Sequence, residues 1–169
     1  MPSSPISALS ASTPTLNFHI LPAGWRDLGP VRKIEQECFG AEAWPLLDIL
    51  AVLSLPGVVR LKAVIHPDDG SPDAPEELAG FVAGEIKGAE HTGWINTIGV
   101  ARAYRRQRIG AALLQTCEQQ LGTPRVRLCV RQSNLGALSL YWGLGYHQVD
   151  VWKRYYQGGE DALVLERTL

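Results

Sequence analysis

Arg105, Arg106 and Arg108 fall within the stretch Arg105-Arg106-Gln107-Arg108-Ile109-Gly110-Ala111, just after an apolar run from Trp94 to Val100. The residues that follow repeat apolar positions at helical spacing, so the arginines sit at a strand-to-helix turn. Amides in the first turn of a helix have no intrahelical acceptor, and the helix dipole adds positive charge at that end. Cations are unfavourable there unless an anion joins them, so the turn reads as a site for a phosphate-bearing ligand. Exposed arginines are usually solvated charges of small energetic weight; here their position argues for function. The P-loop pattern Gly-x-x-x-x-Gly-Lys-Ser/Thr is absent, and Gly110 lacks the partner glycines of a dinucleotide fingerprint.

The chain has 169 residues, which suits one domain with a sizeable core. Hydrophobic residues at 46% and charged residues at 20% are ordinary for a soluble globular protein. A formal net charge of -1 leaves no global field to draw nucleic acid or anionic lipid, so neither is expected as a partner and anion binding must be local. Cys38, Cys117 and Cys129 are scattered and form no Cys-x-x-Cys pair. That argues against a metal site and a disulfide framework, and for a reducing, cytoplasmic compartment. Residues 1–15, rich in Ser, Pro and Ala, read as a disordered leader rather than a signal peptide or anchor, and 16–169 as a single domain.

The periodicities predict strands over Leu16–Leu21, Val58–Ile65, Leu78–Ile86, Trp94–Val100, Val126–Val130, Tyr146–Tyr156 and Ala162–Leu169. Helices are predicted over Trp25–Phe39, Leu46–Leu55, Gln107–Leu121 and Asn134–Leu144, with Asn134 as an N-cap and Gly145 as a stop. A polar loop spans His66–Pro75, and a turn Gly88–Gly93. Mixed elements of this kind imply an α/β sandwich around a mixed sheet.

Two blocks carry a family resemblance. Residues Val100 to Leu114 resemble the acetyl-CoA-binding signature of the GNAT N-acetyltransferase superfamily, Gln/Arg-x-x-Gly-x-Gly/Ala, with Arg108 in place of the first glycine. Residues Leu128 to Tyr146 resemble the family's strand-helix unit with Asn, then Ala, then Tyr before Gly-Tyr. A third segment, Arg154 to Leu163, resembles the Tyr-Tyr…Glu-Asp-Ala ending of ribosomal-protein-alanine and other protein N-terminal acetyltransferases, with a shorter connection. The resemblance implies a mixed, mostly antiparallel sheet flanked by about four helices. It implies transfer of an acetyl group from acetyl-CoA to a primary amine, with a protein N-terminal α-amine favoured. A small-molecule amine, or a degenerate module that binds acyl-CoA without turnover, stays open, and the chain is expected to be a monomer or homodimer.

The chemistry needs a neutral amine, a donor group for the carbonyl oxyanion and an acid for the leaving thiolate. An α-amine, with reference pKa about 7.7–8.0, is far easier to deprotonate than lysine at about 10.4. The resemblance implies that Arg105, Arg106, Gln107, Arg108, Ile109, Gly110 and Ala111 hold the pyrophosphate through backbone amides. It assigns the main chain of Ile98, Gly99 and Val100 to the thioester, with Gly99 suited to a bulge or close approach. Asn134 caps its helix and contacts the donor, and Tyr141 is the general acid. Where ribosomal-protein-alanine acetyltransferases carry a glutamate, this chain has Cys129. For the base, Glu85, Glu42 and His91 are the substitutes, beside a water relay or no dedicated base. Glu42, Trp44, Tyr155 and Tyr156, with Phe39, are the expected walls of the acceptor slot.

Overall fold

The computed structural model describes residues 17–66, 76–88 and 91–169. The expected leader, Leu16, most of the His66–Pro75 loop and the middle of the Gly88–Gly93 turn lie outside them. Strands β1 (Phe18–Pro22), β2 (Val58–Ile65), β3 (Glu77–Lys87), β4 (Thr92–Val100), β5 (Arg125–Arg131), β6 (His147–Trp152) and β7 (Ala162–Thr168) form one sheet in the order β1-β2-β3-β4-β5-β7-β6. All neighbours run antiparallel except β4 and β5. Helices α1 (Leu28–Phe39), α2 (Leu46–Ser54), α3 (Ile109–Leu121) and α4 (Leu135–Gly143) complete the mixed, mostly antiparallel fold that the sequence implied. Among the described residues, no helix is long and apolar enough to cross a membrane.

The central strands are apolar on both faces because both are covered. On one face, Ile109, Leu113, Cys117 and Leu121 form the expected stripe of α3 and are all buried against Val82, Ile95, Val126 and Leu128. On the other, Val31 of α1 and Ile49 and Leu53 of α2 bury Phe81 and Ala83. Strand β5 alternates cleanly, with Val126, Leu128 and Val130 buried between partly exposed Arg125, Arg127, Cys129 and Arg131. Buried Glu118 of α3 accepts the Tyr146 hydroxyl at 2.7 Å and Arg167 of β7 at 2.8 Å, so each oxygen of this carboxylate has a partner.

Several boundaries differ from the sequence expectation. A 3-10 turn over Trp25–Asp27 precedes α1, because the Asp27 carboxylate takes the Gly24 N–H at 2.9 Å and Lys62 at 2.7 Å. Helix α3 begins at Ile109, since Arg106 and Arg108 have left-handed φ of 67° and 63°. Strand β6 stops at Trp152, so Tyr155 and Tyr156 are loop residues. Arg154 turns with φ 52°, and Asp161 holds that turn through the Arg154 N–H at 2.9 Å and Lys153 at 2.7 Å.

The expected bulge in β4 lies at Asn96, not at Gly99. Ala83 pairs with Thr97 and Gly84 with Ile95, leaving Asn96 as the extra residue. The inserted residue exchanges the faces of the strand. Before it, Ile95 points into the α3 core; after it, Ile98 and Val100 do so, and Thr97 and Gly99 face α1. Gly99 serves close approach instead: a Cβ there would lie 2.9 Å from Ile34 Cγ2 and 3.2 Å from Cys38 Sγ.

Gly99→Ala is therefore expected to lower the unfolding free energy by about 1–3 kcal/mol through overpacking against α1. Gly143→Ala, whose Cβ would meet nothing within 4 Å at the end of α4, is the matched control and should leave stability unchanged or raised. Chemical denaturation of both variants checks the pair.

Candidate active site

The parallel ladder between β4 and β5 consists of Gly93↔Val126, Trp94↔Arg127 and Ile95↔Leu128, and then stops. Beyond it the strands part, and the edge of β4 from Asn96 to Val100 faces a gap instead of a neighbour. A cleft of about 930 Å³ opens at the parting. Its walls come from α1 and the segment after it (Glu35, Phe39, Glu42, Trp44), from Thr97 and Ile98, from Cys129 and Arg131, and from Asn134 and Tyr141 of the α4 unit. Trp152, Tyr155 and Tyr156 close the remaining side. Glu42, Trp44, Glu85, Ile98, Asn134, Tyr141, Tyr155 and Tyr156 are thus brought to one cleft, whereas His91 is exposed in the turn before β4.

The arginine turn lies at the N-terminus of α3, beside the gap. Among the described residues, the amides of 106–111 find no protein acceptor; Ala112 N–H is the first of the helix to do so, bonding Arg108 carbonyl at 3.0 Å. Free amides at a helix start form a cradle suited to a pyrophosphate. Gly110 sits between Val100 and α4: a Cβ there would meet Leu140 at 3.4 Å and Val100 at 3.6 Å, ordinary contacts. The left-handed φ of Arg108 gives the physical reason a glycine is expected at that position, since a side chain there costs about 1–2 kcal/mol. Arg105 is tied to the protein instead: Nε donates to Val100 carbonyl at 3.0 Å, and the guanidinium reaches Cys38 Sγ at 3.5 Å. Arg106 and Arg108 remain exposed.

Asn134 caps α4 as expected, its Oδ1 accepting the Ala137 N–H at 3.1 Å. Tyr141 is 5% exposed, and burial pushes its phenol well above the ordinary range. It therefore keeps its proton near neutral pH, the state a general acid needs. Burial also pushes the Cys129 thiol up to about 11, which keeps it from serving as a base. At Glu85 burial raises the carboxyl, but the hydrogen bonds of Lys87 and Asn96 and the Lys87 charge outweigh it, and the net shift is downward. Lys87 Nζ lies 3.0 Å and Asn96 Nδ2 2.9 Å from Glu85 Oε1, so that carboxylate already has its partners.

Arg131, at the end of β5, joins both sides of the cleft. Its guanidinium pairs with Glu42 after α1 and with Glu160 in the β6–β7 loop, the latter at 2.5 Å, and lies 4.2 Å over the Tyr156 ring. Glu160 also accepts the Ser133 N–H at 2.8 Å. Consecutive ring contacts run from Trp94 to Trp152 at 5.7 Å, Trp152 to Tyr155 at 5.3 Å and Tyr155 to Tyr156 at 5.1 Å. One wall is thus aromatic, and the opposite one carries Trp44 and acids.

Sequence reasoning passed over Glu35, Thr97, Trp94, Trp152 and Arg131. Glu35 is 2% exposed, and its Oε1 accepts the Thr97 hydroxyl at 2.5 Å. Its signal was present: a carboxylate one residue from Ile34, on the stripe formed by Val31, Ile34 and Cys38, is carried into the interior by helical periodicity. The other residues give no local signal, because their roles depend on the bulge and the loop.

Residues 31–146 match the model of a family described as the acetyltransferase (GNAT) family. Among curated proteins, the chain is 40% identical over 81 residues to an N-alpha-acetyltransferase of Sulfurisphaera tokodaii, covering 46% of this chain and 48% of that protein. It is 33% identical over 95 residues to the [ribosomal protein bS18]-alanine N-acetyltransferase of Escherichia coli K12, covering 53% of this chain and 63% of that protein. The matched stretch thus spans between about half and under two thirds of the length of these relatives. Among solved structures, the fold is similar to NAA60 of Arabidopsis thaliana in complex with acetyl-CoA (TM-score 0.78, 23% identity, 90% of this chain, 100% of that one). It is similar as well to the ribosomal-protein-S18-alanine N-acetyltransferase of Escherichia coli (TM-score 0.74, 23% identity, 90% and 94%).

Arg108→Gly removes a left-handed side chain worth about 1–2 kcal/mol of strain, against about 0.5–1 kcal/mol for the extra freedom of glycine when unfolded. A net gain of about 0.5–1 kcal/mol is expected in denaturant unfolding. Calorimetric titration of the same variant with acetyl-CoA reads whether the guanidinium adds to the amide cradle.

Proposed function

The chain belongs to the acetyltransferase (GNAT) family, and on that premise we propose that it moves an acetyl group from acetyl-CoA to a primary amine, a protein N-terminal α-amine being the favoured acceptor. The observation that carries this reading is the three-pair ladder of β4 and β5, which leaves a gap with free amides on one side and a cleft on the other. The cradle of 106–111 suits the pyrophosphate, and the polar edge of β4 at Ile98 and Gly99 suits the rest of the donor arm. When bound, acetyl-CoA supplies a thioester carbonyl activated for attack by nitrogen.

The protein's own groups do the remaining work. Unpaired backbone amides on the edge of β4 can stabilise a developing oxyanion, because they are fixed by the β3 ladder before any ligand arrives. Tyr141, protonated and buried, can hand its proton to the leaving sulfur. The aromatic wall and the Glu42–Arg131–Glu160 bridge offer ring faces and charges along the cleft to an acceptor chain. The names of the curated relatives, an N-alpha-acetyltransferase and a ribosomal-protein-alanine N-acetyltransferase, support the same acceptor class.

Coenzyme A release measured on unblocked peptides, the same peptides with blocked N-termini, and a panel of small amines tests this reading. Turnover is expected on the unblocked peptides and not on their blocked forms, even those containing lysine. Turnover confined to small amines would overturn the acceptor assignment. Tyr141→Phe should lower kcat by about 10²-fold or more while leaving the dissociation constant for acetyl-CoA within about twofold.

A further inference from the structure

We propose that Glu35 is the proton acceptor for the attacking amine. The inference rests on the acetyl-transfer reading above. Among the described residues, two buried side-chain oxygens have no hydrogen-bond partner: Glu35 Oε2 and Glu42 Oε1. Both residues line the cleft. A buried carboxylate oxygen left unpaired costs about 1–3 kcal/mol or more, so an orphan of this kind in a cleft marks where a donor from a ligand belongs.

The two acids are not equivalent. Glu42 is committed through Oε2 to Arg131, and its charge is neutralised there. Among the described residues, Glu35 has no cationic partner; its carboxylate is held by the Thr97 hydroxyl on Oε1 and by the Trp44 backbone. Thr97 reaches α1 only because the bulge at Asn96 turns that side of β4 toward the helix. It is adjacent in sequence to Ile98, on the edge where the strands have parted. Glu35 therefore stands in the cleft wall on a helix, its carboxylate oriented through Oε1 by a donor from β4 and its other oxygen buried and unpaired. An ammonium or amine N–H supplies what that oxygen lacks.

The other titratable groups of the cleft are less suited. Cys129 keeps its proton, pushed up to about 11 by burial. Glu85 is held by Lys87 and Asn96, and Tyr141 and Tyr156 are raised by burial and keep their protons. Cys38 is also raised by burial, although Arg105 opposes it. Asp48, on α2, belongs to the same wall as Glu42. Burial raises the Glu35 carboxyl, against the lowering effect of Thr97 and of the Trp44 backbone. A carboxylate displaced upward is a better proton acceptor than an ordinary one.

The step balances as follows. The acceptor ammonium gives one proton to Glu35 Oε2, directly or across one water. The freed nitrogen pair forms a bond to the thioester carbonyl carbon, and the carbon–sulfur bond breaks with its pair going to sulfur. Tyr141 protonates that sulfur, and the second amine proton restores the phenol. Glu35 returns its proton to solvent when the amide leaves. No oxidant or metal enters.

The test is the pH profile of kcat/KM for unblocked peptides with the full chain, its Glu35→Gln variant and its Glu35→Asp variant. The wild-type chain should gain activity as pH rises through the ionisation of Glu35 and then of the amine. Glu35→Gln should lose about 100-fold at pH 7 and recover to within about threefold at pH 9.5, where the amine is neutral without help. Glu35→Asp should restore part of the loss at pH 7, and acetyl-CoA affinity should stay unchanged in both variants. Thr97→Val, which removes the orienting donor, should lower activity in the same pH-dependent way and carries the test if the Gln variant does not fold. Parallel profiles with undiminished kcat/KM in Glu35→Gln overturn the role of Glu35 and leave the acetyltransferase reading standing. Absence of turnover by the wild-type chain on every amine at every pH overturns the acetyltransferase reading itself, and Glu35 with it.

Discussion

The molecule depends on a pairing that stops early. Strands β4 and β5 hydrogen-bond over three residue pairs and then diverge, although each is firmly bound on its other side. A sheet normally satisfies every interior backbone group, so an unpaired stretch in mid-sheet is a cost that a solvent-filled or ligand-filled gap must offset. The divergence cannot close by repacking, because β4 is held by an eight-pair ladder with β3 and β5 by a seven-pair ladder with β7. Two half-sheets are joined at Gly93–Ile95 and Val126–Leu128. The gap is thus a fixed property of the sheet.

Everything near the gap is arranged around that edge. The bulge at Asn96 sends Thr97 to α1 and keeps Ile98 and Val100 in the α3 core. The missing Cβ of Gly99 lets Ile34 and Cys38 press against the strand, which brings Glu35 within reach of Thr97. On the other side, Arg106 and Arg108 accept left-handed backbone so that successive amides turn outward at the start of α3. Local strain at Arg106 and Arg108 and a buried unpaired carboxylate oxygen at Glu35 are each unfavourable alone. A fold selected only for stability would remove both.

The far wall is built from loops, and electrostatics keeps it in place. Arg131 extends from the last residue of β5, so its position is set by the sheet, and it pins Glu42 on one side and Glu160 on the other. Asp161 does the same work one residue later, fixing the turn at Arg154 that swings Tyr155 and Tyr156 toward the cleft. Partly exposed ion pairs are individually weak. Here they act together with ring contacts from Trp94 to Tyr156 and with the Arg131–Tyr156 stacking, so the wall is a connected network.

Local sequence was sufficient wherever a single element decided the outcome. The stripe Ile109, Leu113, Cys117, Leu121, the alternation Val126, Leu128, Val130 and the cap at Asn134 are visible in the chain because periodicity and capping are short-range. The strand-to-helix turn at the arginines was legible too, because the change from apolar run to helical spacing is local. The tertiary structure alone decided what depends on residues far apart: the point at which β4 and β5 part, the face to which Thr97 turns, the loop conformation of Tyr155 and Tyr156, and the pairing of Arg131 with two distant glutamates. A one-residue bulge exchanges the two faces of a strand without altering its composition, so no local pattern could mark Glu35 and Thr97 as neighbours. The chain by itself determined its helices, strands and caps; the tertiary structure decided which carboxylates are buried with an unpaired oxygen in the cleft, because burial and partnership belong to the packed sheet and not to the residue.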